Sequence, residues 1–185
     1  MQICFCPGGA VSWERAIERR NEIFHVYEKL NSCDIIIITL GLVESWFDKS
    51  TEYYLNRMPP VPVAKKDPGR FVLSVMDVCD AMPLLEKAIT RLGEKGKKVI
   101  ITVSPVPLQT TLTNNDAVVA NAFSKSVLRV CADRLMRKFS HVDYFPSYEI
   151  VRSFGLAGFI ADNVHVRPDL VRSVTTYMVD RYSIL

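Results

Sequence analysis

The sequence predicts an α/β fold of three layers, α/β/α, around a small parallel sheet. Two runs, Ile35-Ile36-Ile37-Ile38-Thr39-Leu40 and Val99-Ile100-Ile101-Thr102-Val103, are β-branched and show no polar alternation, as strands buried on both faces do. Between and after them lie long stretches whose apolar residues recur at helical spacing. Repeated strand, loop and helix units close into a parallel sheet through right-handed crossovers, with helices on both faces.

The elements follow in order. A helix from about Ser12 to Leu30 is signalled by Ala16, Ile17, Ile23, Phe24, Tyr27 and Leu30 with charges between them, and its stripe is expected to face the sheet. The strand Ile35–Leu40 ends at Gly41. Residues 46 to 69 mix Trp46, Tyr53, Tyr54, Pro59, Pro60, Pro62 and Pro68 with polar groups, a composition that cannot hold regular structure for long and predicts a long ordered excursion, the rim of a pocket rather than an edge cover. Arg70 to Val75 reads as a short extended segment. Pro83 is placed in the first turn of a helix continued by Leu85, Ala88, Ile89 and Leu92, with Gly93 and Gly96 as its stops. Val99–Val103 is ended by Pro105 and Pro107, which remove ladder donors. Asn115 and Asp116 cap a third helix through Val118, Val119, Ala122, Phe123, Val127, Val130, Leu135 and Met136. Val142 to Phe145 is the third strand, stopped by Pro146, and Pro168 opens a last helix striped by Leu170, Val171, Val174 and Met178.

A chain of 185 residues buries roughly 70% of its unfolded surface, so one domain, residues 1–185, is expected without a linker. Apolar residues make up 49% and charged residues 23%, an ordinary globular balance. The 23 Lys and Arg, with a net charge of +3, are spread along the chain rather than gathered into a nucleic-acid arm. The longest apolar runs fall far short of the roughly 20 residues that span a bilayer, and no signal peptide opens the chain, so the expectation is cytoplasmic, without a membrane. Cys4, Cys6, Cys33, Cys79 and Cys131 form an odd set without CxxC spacing, which predicts reduced, mostly buried thiols. His25, His141 and His165 lie far apart, so neither a metal nor a cofactor is expected.

Ligands of such sheets bind beyond the carboxyl ends of the strands, which directs attention to Gly41–Glu44, Ser104–Leu108 and Pro146–Glu149. Gly41 lets backbone N–H groups approach a ligand, as an oxyanion donor requires; an ordinary strand-ending turn reads equally well. Asp162 and His165 lie just before the last helix, where a carboxylate three residues ahead of an imidazole can fix its tautomer; a surface loop or helix cap is the plainer reading. Ser104 offers a hydroxyl at a strand end but is also explained as the turn before Pro105. Ser124-Lys125-Ser126 could be a serine-lysine pair, or solvent-facing and pocket-lining polar groups on a long helix. Tyr144 and Glu149 suit a sugar or polar group, and Phe145 suits the core.

Four phrases, taken together and in order, carry a resemblance: Thr39-Leu-Gly-Leu-Val-Glu-Ser-Trp46, Thr102-Val-Ser-Pro-Val-Pro-Leu108, Ala120-Asn-Ala-Phe-Ser-Lys-Ser-Val-Leu-Arg129 and Asp143-Tyr-Phe-Pro-Ser-Tyr-Glu149. From about Asp34 to the end the chain resembles the GSCFA family of SGNH-type hydrolases. The resemblance implies an SGNH-like, flavodoxin-like α/β/α fold. It implies an acyl-ester hydrolase or acyltransferase acting on a small-molecule or glycan ester, with His165 as base, Asp162 as its orienter, and Gly41, Glu44 and Ser104 as oxyanion or substrate contacts. Two departures stand out. Gly41-Leu42-Val43-Glu44 occupies the place of a Gly-x-Asn-Asp block, so Val43 replaces the oxyanion asparagine. No Gly-Ser-Cys-Phe-Ala segment with the family's nucleophilic serine occurs, and Gln2-Ile3-Cys4-Phe5-Cys6 echoes it with Ile3 where serine is required. The expectation is therefore an amino-terminally incomplete domain lacking the first strands. Its open sheet edge would be covered by an amino-terminal segment or by self-association into a homo-oligomer. The competing expectations are a rearranged site and a non-catalytic binding or interaction domain.

Overall fold

The computed structural model describes residues 5, 6 and 9–183. The chain divides into two units, residues 1–36 and 37–185. In the first, β1 (Phe5–Cys6) pairs antiparallel with β2 (Gly9–Ala10), and α1 (Trp13–Glu28) runs on into a 3₁₀ turn at Lys29–Ser32. Ser12 caps α1 by accepting from Arg15 N at 3.2 Å. The helix forms where its spacing predicted, but its apolar stripe is not covered: Ile17, Ile23, Phe24, Tyr27 and Leu30 are exposed, and Ala16 is its one buried residue.

The second unit is built around β3 (Ile35–Leu40), which begins at the boundary, followed by β4 (Glu44–Asp48), β5 (Tyr53–Leu55), α2 (Val61–Lys66), β6 (Phe71–Val75), α3 (Val78–Glu94), β7 (Lys98–Val103), α4 (Ala117–Lys138), β8 (Val142–Tyr144), α5 (Ser147–Ser153) and α6 (Pro168–Tyr182). Its parallel sheet has the order β3-β7-β8. The predicted three-layer α/β/α arrangement is present. Alternate residues of β7 divide the work: Val99, Ile101 and Val103 enter a core with Ile89 of α3 and Val127, Leu128, Cys131, Ala132 and Leu135 of α4. On the other face the Ser147 hydroxyl of α5 lies 2.5 Å from Thr102 Oγ1 and donates to Val103 O at 3.1 Å.

β3 departs from its sequence reading. Ile36, Ile38 and Leu40 turn to the core, whereas Ile35 is 39% and Ile37 50% exposed. It is an end strand covered on one face, because the layer of α5 and α6 stands on β7 and β8. A run of β-branched residues reports strand propensity, and that propensity is blind to which face a neighbour covers.

The excursion after β3 is also corrected, since residues 46 to 69 hold regular structure. β4 pairs antiparallel with β5 and with β6 in the order β5-β4-β6, and α2 follows. Pro59, Pro60 and Pro68 lie outside the strands, and Pro62 sits in the first turn of α2, where a missing N–H costs nothing. The turn between β4 and β5 is organised by Asp48, whose carboxylate accepts from Ser50 N at 3.0 Å and Ser50 Oγ at 2.9 Å, and Glu52 takes a left-handed φ of 57°.

α3 starts five residues before Pro83, at a reciprocal capping box between Asp77 and Asp80, so the proline lies inside the helix and removes one internal bond. Gly96, with φ 69°, is the stop, whereas Gly93 is helical and serves a close approach. A Cβ on Gly93 would come within 2.5 Å of His141 Cε1, and that ring is held by its Nε2–H donating to Ile89 O at 3.2 Å. Gly93→Ala is expected to lose about 1–2 kcal/mol, an overpacking cost partly offset by the roughly 1 kcal/mol gained when a helical glycine is replaced. Urea unfolding checks this, and a midpoint equal to the parent's would mean that the ring has room to move. The thiols also differ from expectation: Cys131 is buried, but Cys33 and Cys79 are exposed, while Cys4 lies outside the described residues.

Candidate active site

Asp162 and His165 sit in a short hairpin joining the 3₁₀ turn Gly155–Gly158 to α6. Phe159 bridges Val166, Ile160 N donates to His165 O at 2.9 Å and Arg167 N donates to Gly158 O at 3.0 Å. At the tip Asn163 takes a left-handed φ of 58°, a conformation asparagine tolerates. Asp162 Oδ1 accepts from Val164 N and His165 N, both at 2.9 Å, which leaves Oδ2 facing His165 Nδ1 at 2.5 Å. A carboxylate only accepts, so Nδ1 carries the proton and the Nε2 lone pair is left open. The imidazole side chain is 68% exposed. The bond from His165, followed by the two backbone N–H groups, holds the Asp162 carboxyl down to about 2. The helix-cap alternative does not hold, because the residue before α6 is Arg167 and makes no side-chain cap.

The direction of α6 locates this hairpin. Tyr182 near its end donates to Asp143 Oδ2 of β8 at 2.7 Å, while Tyr177, five residues earlier, meets the ring of Phe145 just past that strand at 5.9 Å. Tyr182 also meets the Phe145 ring, at 6.4 Å, but of the two tyrosines it is the one that reaches back to Asp143, so α6 runs against β8 and begins toward the side of the strands' carboxyl ends. Gly41 and Ser104 follow the carboxyl ends of β3 and β7, where Ser104 N donates to Leu40 O at 2.8 Å.

At those ends each residue singled out in the sequence has a definite partner. Gly41 is not held there by sterics, since a Cβ would meet nothing within 4 Å. Its carbonyl accepts from Lys125 Nζ of α4 at 2.9 Å, and Val43 N donates to Ser124 Oγ at 2.9 Å. Ser124 and Lys125 are thus buried clamps on the turn after β3, not solvent-facing groups. Glu44 lines a cleft with Val43, Val75, Thr113, Val119 and Phe123, yet its oxygens are taken by Thr111 Oγ1 at 2.5 Å and Leu112 N at 3.4 Å. Ser104 Oγ accepts from Val106 N at 3.3 Å, the ordinary turn role. Tyr144 donates to both oxygens of Glu149, at 2.9 and 2.8 Å, and Arg129 stacks over its ring at 4.3 Å while donating to Glu149 Oε1 at 2.8 Å. Phe145 is buried, as core packing requires.

One helix gathers these contacts. Asn121 Oδ1 accepts from Leu108 N at 2.9 Å, Ser124 and Lys125 hold the turn after β3, and Arg129 holds the turn after β8. Each of the other three phrases that carry the resemblance is therefore tied to a different residue of Ala120–Arg129. A model of the GSCFA family matches residues 10–177. The chain belongs to the GSCFA family. No curated protein and no solved structure matches it. In this GSCFA chain the phrase on α4 works as a rack for the strand-end loops. The sequence left Lys125 open between a serine-lysine pair and solvent-facing or pocket-lining roles, although it lies at helical spacing with Asn121, Leu128 and Ala132, a stripe that points inward. Sequence reading passed over the Asp48–Arg70 pair, whose members stand 22 residues apart with nothing local to join them.

Proposed function

We propose that the chain carries the base half of an acyl-transfer site, acting in the hydrolysis or transfer of an acyl group on a carbohydrate-like ester. The observation behind this reading is the Asp162–His165 pair, with Nδ1 bound to a carboxylate and an open Nε2 on an exposed ring. His165 Nε2 would take the proton of the attacking hydroxyl and return it to the leaving alkoxide, while Asp162 stabilises the imidazolium between the two steps. Val43 has no side-chain donor, so negative charge on the acyl oxygen would fall to backbone N–H groups of the turn after β3. The attacking hydroxyl is not assigned to a residue, because the sequence contains no Gly-Ser-Cys-Phe-Ala segment. That absence favours the second reading, a binding domain that keeps the pocket without the chemistry. No described helix is long and apolar enough to cross a membrane.

The test is release of nitrophenolate from 4-nitrophenyl acetate, and of acetate from an acetylated oligosaccharide, across about pH 6 to 9. The enzyme reading expects release well above that of the denatured chain, with mass spectrometry locating any acetylated hydroxyl. Release no faster than the denatured control removes it. The binding reading would then require retention of the oligosaccharide without turnover.

A further inference from the structure

Lys125 is 1% exposed, and its ammonium is drawn from the middle of α4 to a backbone carbonyl, with no ion pair to a carboxylate among the described residues. A buried charge paired only with a neutral carbonyl is an expensive way to hold a turn, and replacing such a charge with a well-packed apolar side chain commonly costs nothing or stabilises. Burial accordingly pushes the amine down to about 8. The carbonyl it binds is that of Gly41, which belongs to the same peptide unit as the N–H of Leu42. The next N–H along, that of Val43, is consumed by Ser124 Oγ, and Val43 O is consumed by Met76 N at 3.0 Å. Among the described residues no acceptor lies against the Leu42 N–H, and Leu42 itself is exposed. The turn is thus fixed at Gly41 and at Val43, with one donor left over between them.

We propose that Lys125 is a positioning residue which, through the Gly41–Leu42 peptide unit, makes the Leu42 N–H a fixed and strengthened donor for a ligand carboxylate or acyl oxygen. A hydrogen bond from a cation to a peptide oxygen draws electron density toward that oxygen and increases the acidity of the N–H at the other end, so two bonds in series reinforce each other. Ser124 keeps the neighbouring Val43 N–H out of competition and holds the plane of the turn. The geometry selects a small anionic or carbonyl oxygen at this point and disfavours a cation, which would meet a donor backed by a positive charge. The inference rests on the reading that this strand-end rim receives the acyl group, and it names the donor which that reading otherwise leaves to unspecified backbone.

Acetate, followed by amide resonances of the full chain, tests the inference without depending on turnover. Titration with sodium acetate at fixed ionic strength is expected to shift the Leu42 amide proton downfield in a saturable way. Lys125→Met is expected to weaken that binding about tenfold while leaving the thermal midpoint unchanged or raised, and Lys125→Arg to restore it to within about threefold. A clamp needed only for folding would instead lower the midpoint and leave the acetate affinity of the folded fraction alone. A Leu42 amide that does not respond to acetate, or responds equally in Lys125→Met, overturns the assignment even if the parent turns over esters. If the acetate response is present and depends on Lys125 while no ester is cleaved, the donor assignment stands and the catalytic reading fails.

Discussion

His165→Ala is expected to lower kcat/KM for acetyl-ester cleavage by about 100- to 10,000-fold, the range that a positioned general base contributes. Only one ring nitrogen is open for this work. Nδ1 is committed to Asp162 Oδ2, and the exposed imidazole places Nε2 where a substrate hydroxyl can reach it. Asp162→Asn is expected to lose less, about tenfold to a hundredfold. The amide can still accept from Val164 N and His165 N, but it can present an NH₂ to Nδ1 and so favour the wrong tautomer. The pH dependence has a definite sign. Asp162 is held down to about 2, so the support its carboxylate gives the hairpin is complete above the ordinary carboxyl value near 4 and is lost only as pH falls toward about 2. Asp162 therefore adds no acid limb to activity in the neutral range. Initial rates on both variants decide the matter, and a His165→Ala protein as active as its parent removes the assignment.

What the sequence disclosed and what it withheld follow from the range of the interactions. β7 was legible from its own residues, because a strand in the middle of a sheet must be apolar on both faces, and Val99–Val103 is. The cap at Asp116 and the start of α6 at Pro168 were legible for the same local reason. Asp162 and His165 are three residues apart, so their bond is a property of one short segment. The half-exposed face of β3 was not legible, since burial there depends on whether α5 and α6 extend over it. Nor was the regular structure of residues 46 to 69, where strands form because β4 is flanked on both sides and the prolines fall outside the ladder. The role of Lys125 stayed open because a cation on a helix is usually solvated, and only the carbonyl waiting 84 positions earlier in the chain explains its burial.

The same long-range logic gives the largest expected stability effect, at Asp48→Asn. The parent carboxylate is 3% exposed and takes a two-pronged grip from Arg70, Nε to Oδ1 at 2.8 Å and Nη2 to Oδ2 at 2.6 Å, as well as the two bonds from Ser50. The Arg70 guanidinium, more than the Ser50 donors, holds this carboxyl well below the usual carboxylate range against the opposing effect of burial. An asparagine would turn an N–H group toward a guanidinium that can only donate, and because the Arg70 side chain keeps 30% of its surface in solvent the cost is about 2–3 kcal/mol. Because the folded value is depressed, the parent's gain is fully present above about pH 4, begins to decline below it and is lost only as pH falls through the far lower folded value, whereas the variant has no such gain to lose. The gap in urea midpoint between the two proteins should therefore be full at neutral pH and only begin to narrow near pH 3, and equal midpoints at neutral pH would show that the pair does not hold the sheet. The effect should reach the strand-end turn, because β6 is tied to it by Met76 N donating to Val43 O, the residue whose N–H Ser124 also holds. A sheet loosened at Asp48 then frees one of the two anchors on either side of the Leu42 N–H, and acetate affinity should fall in the variant along with stability.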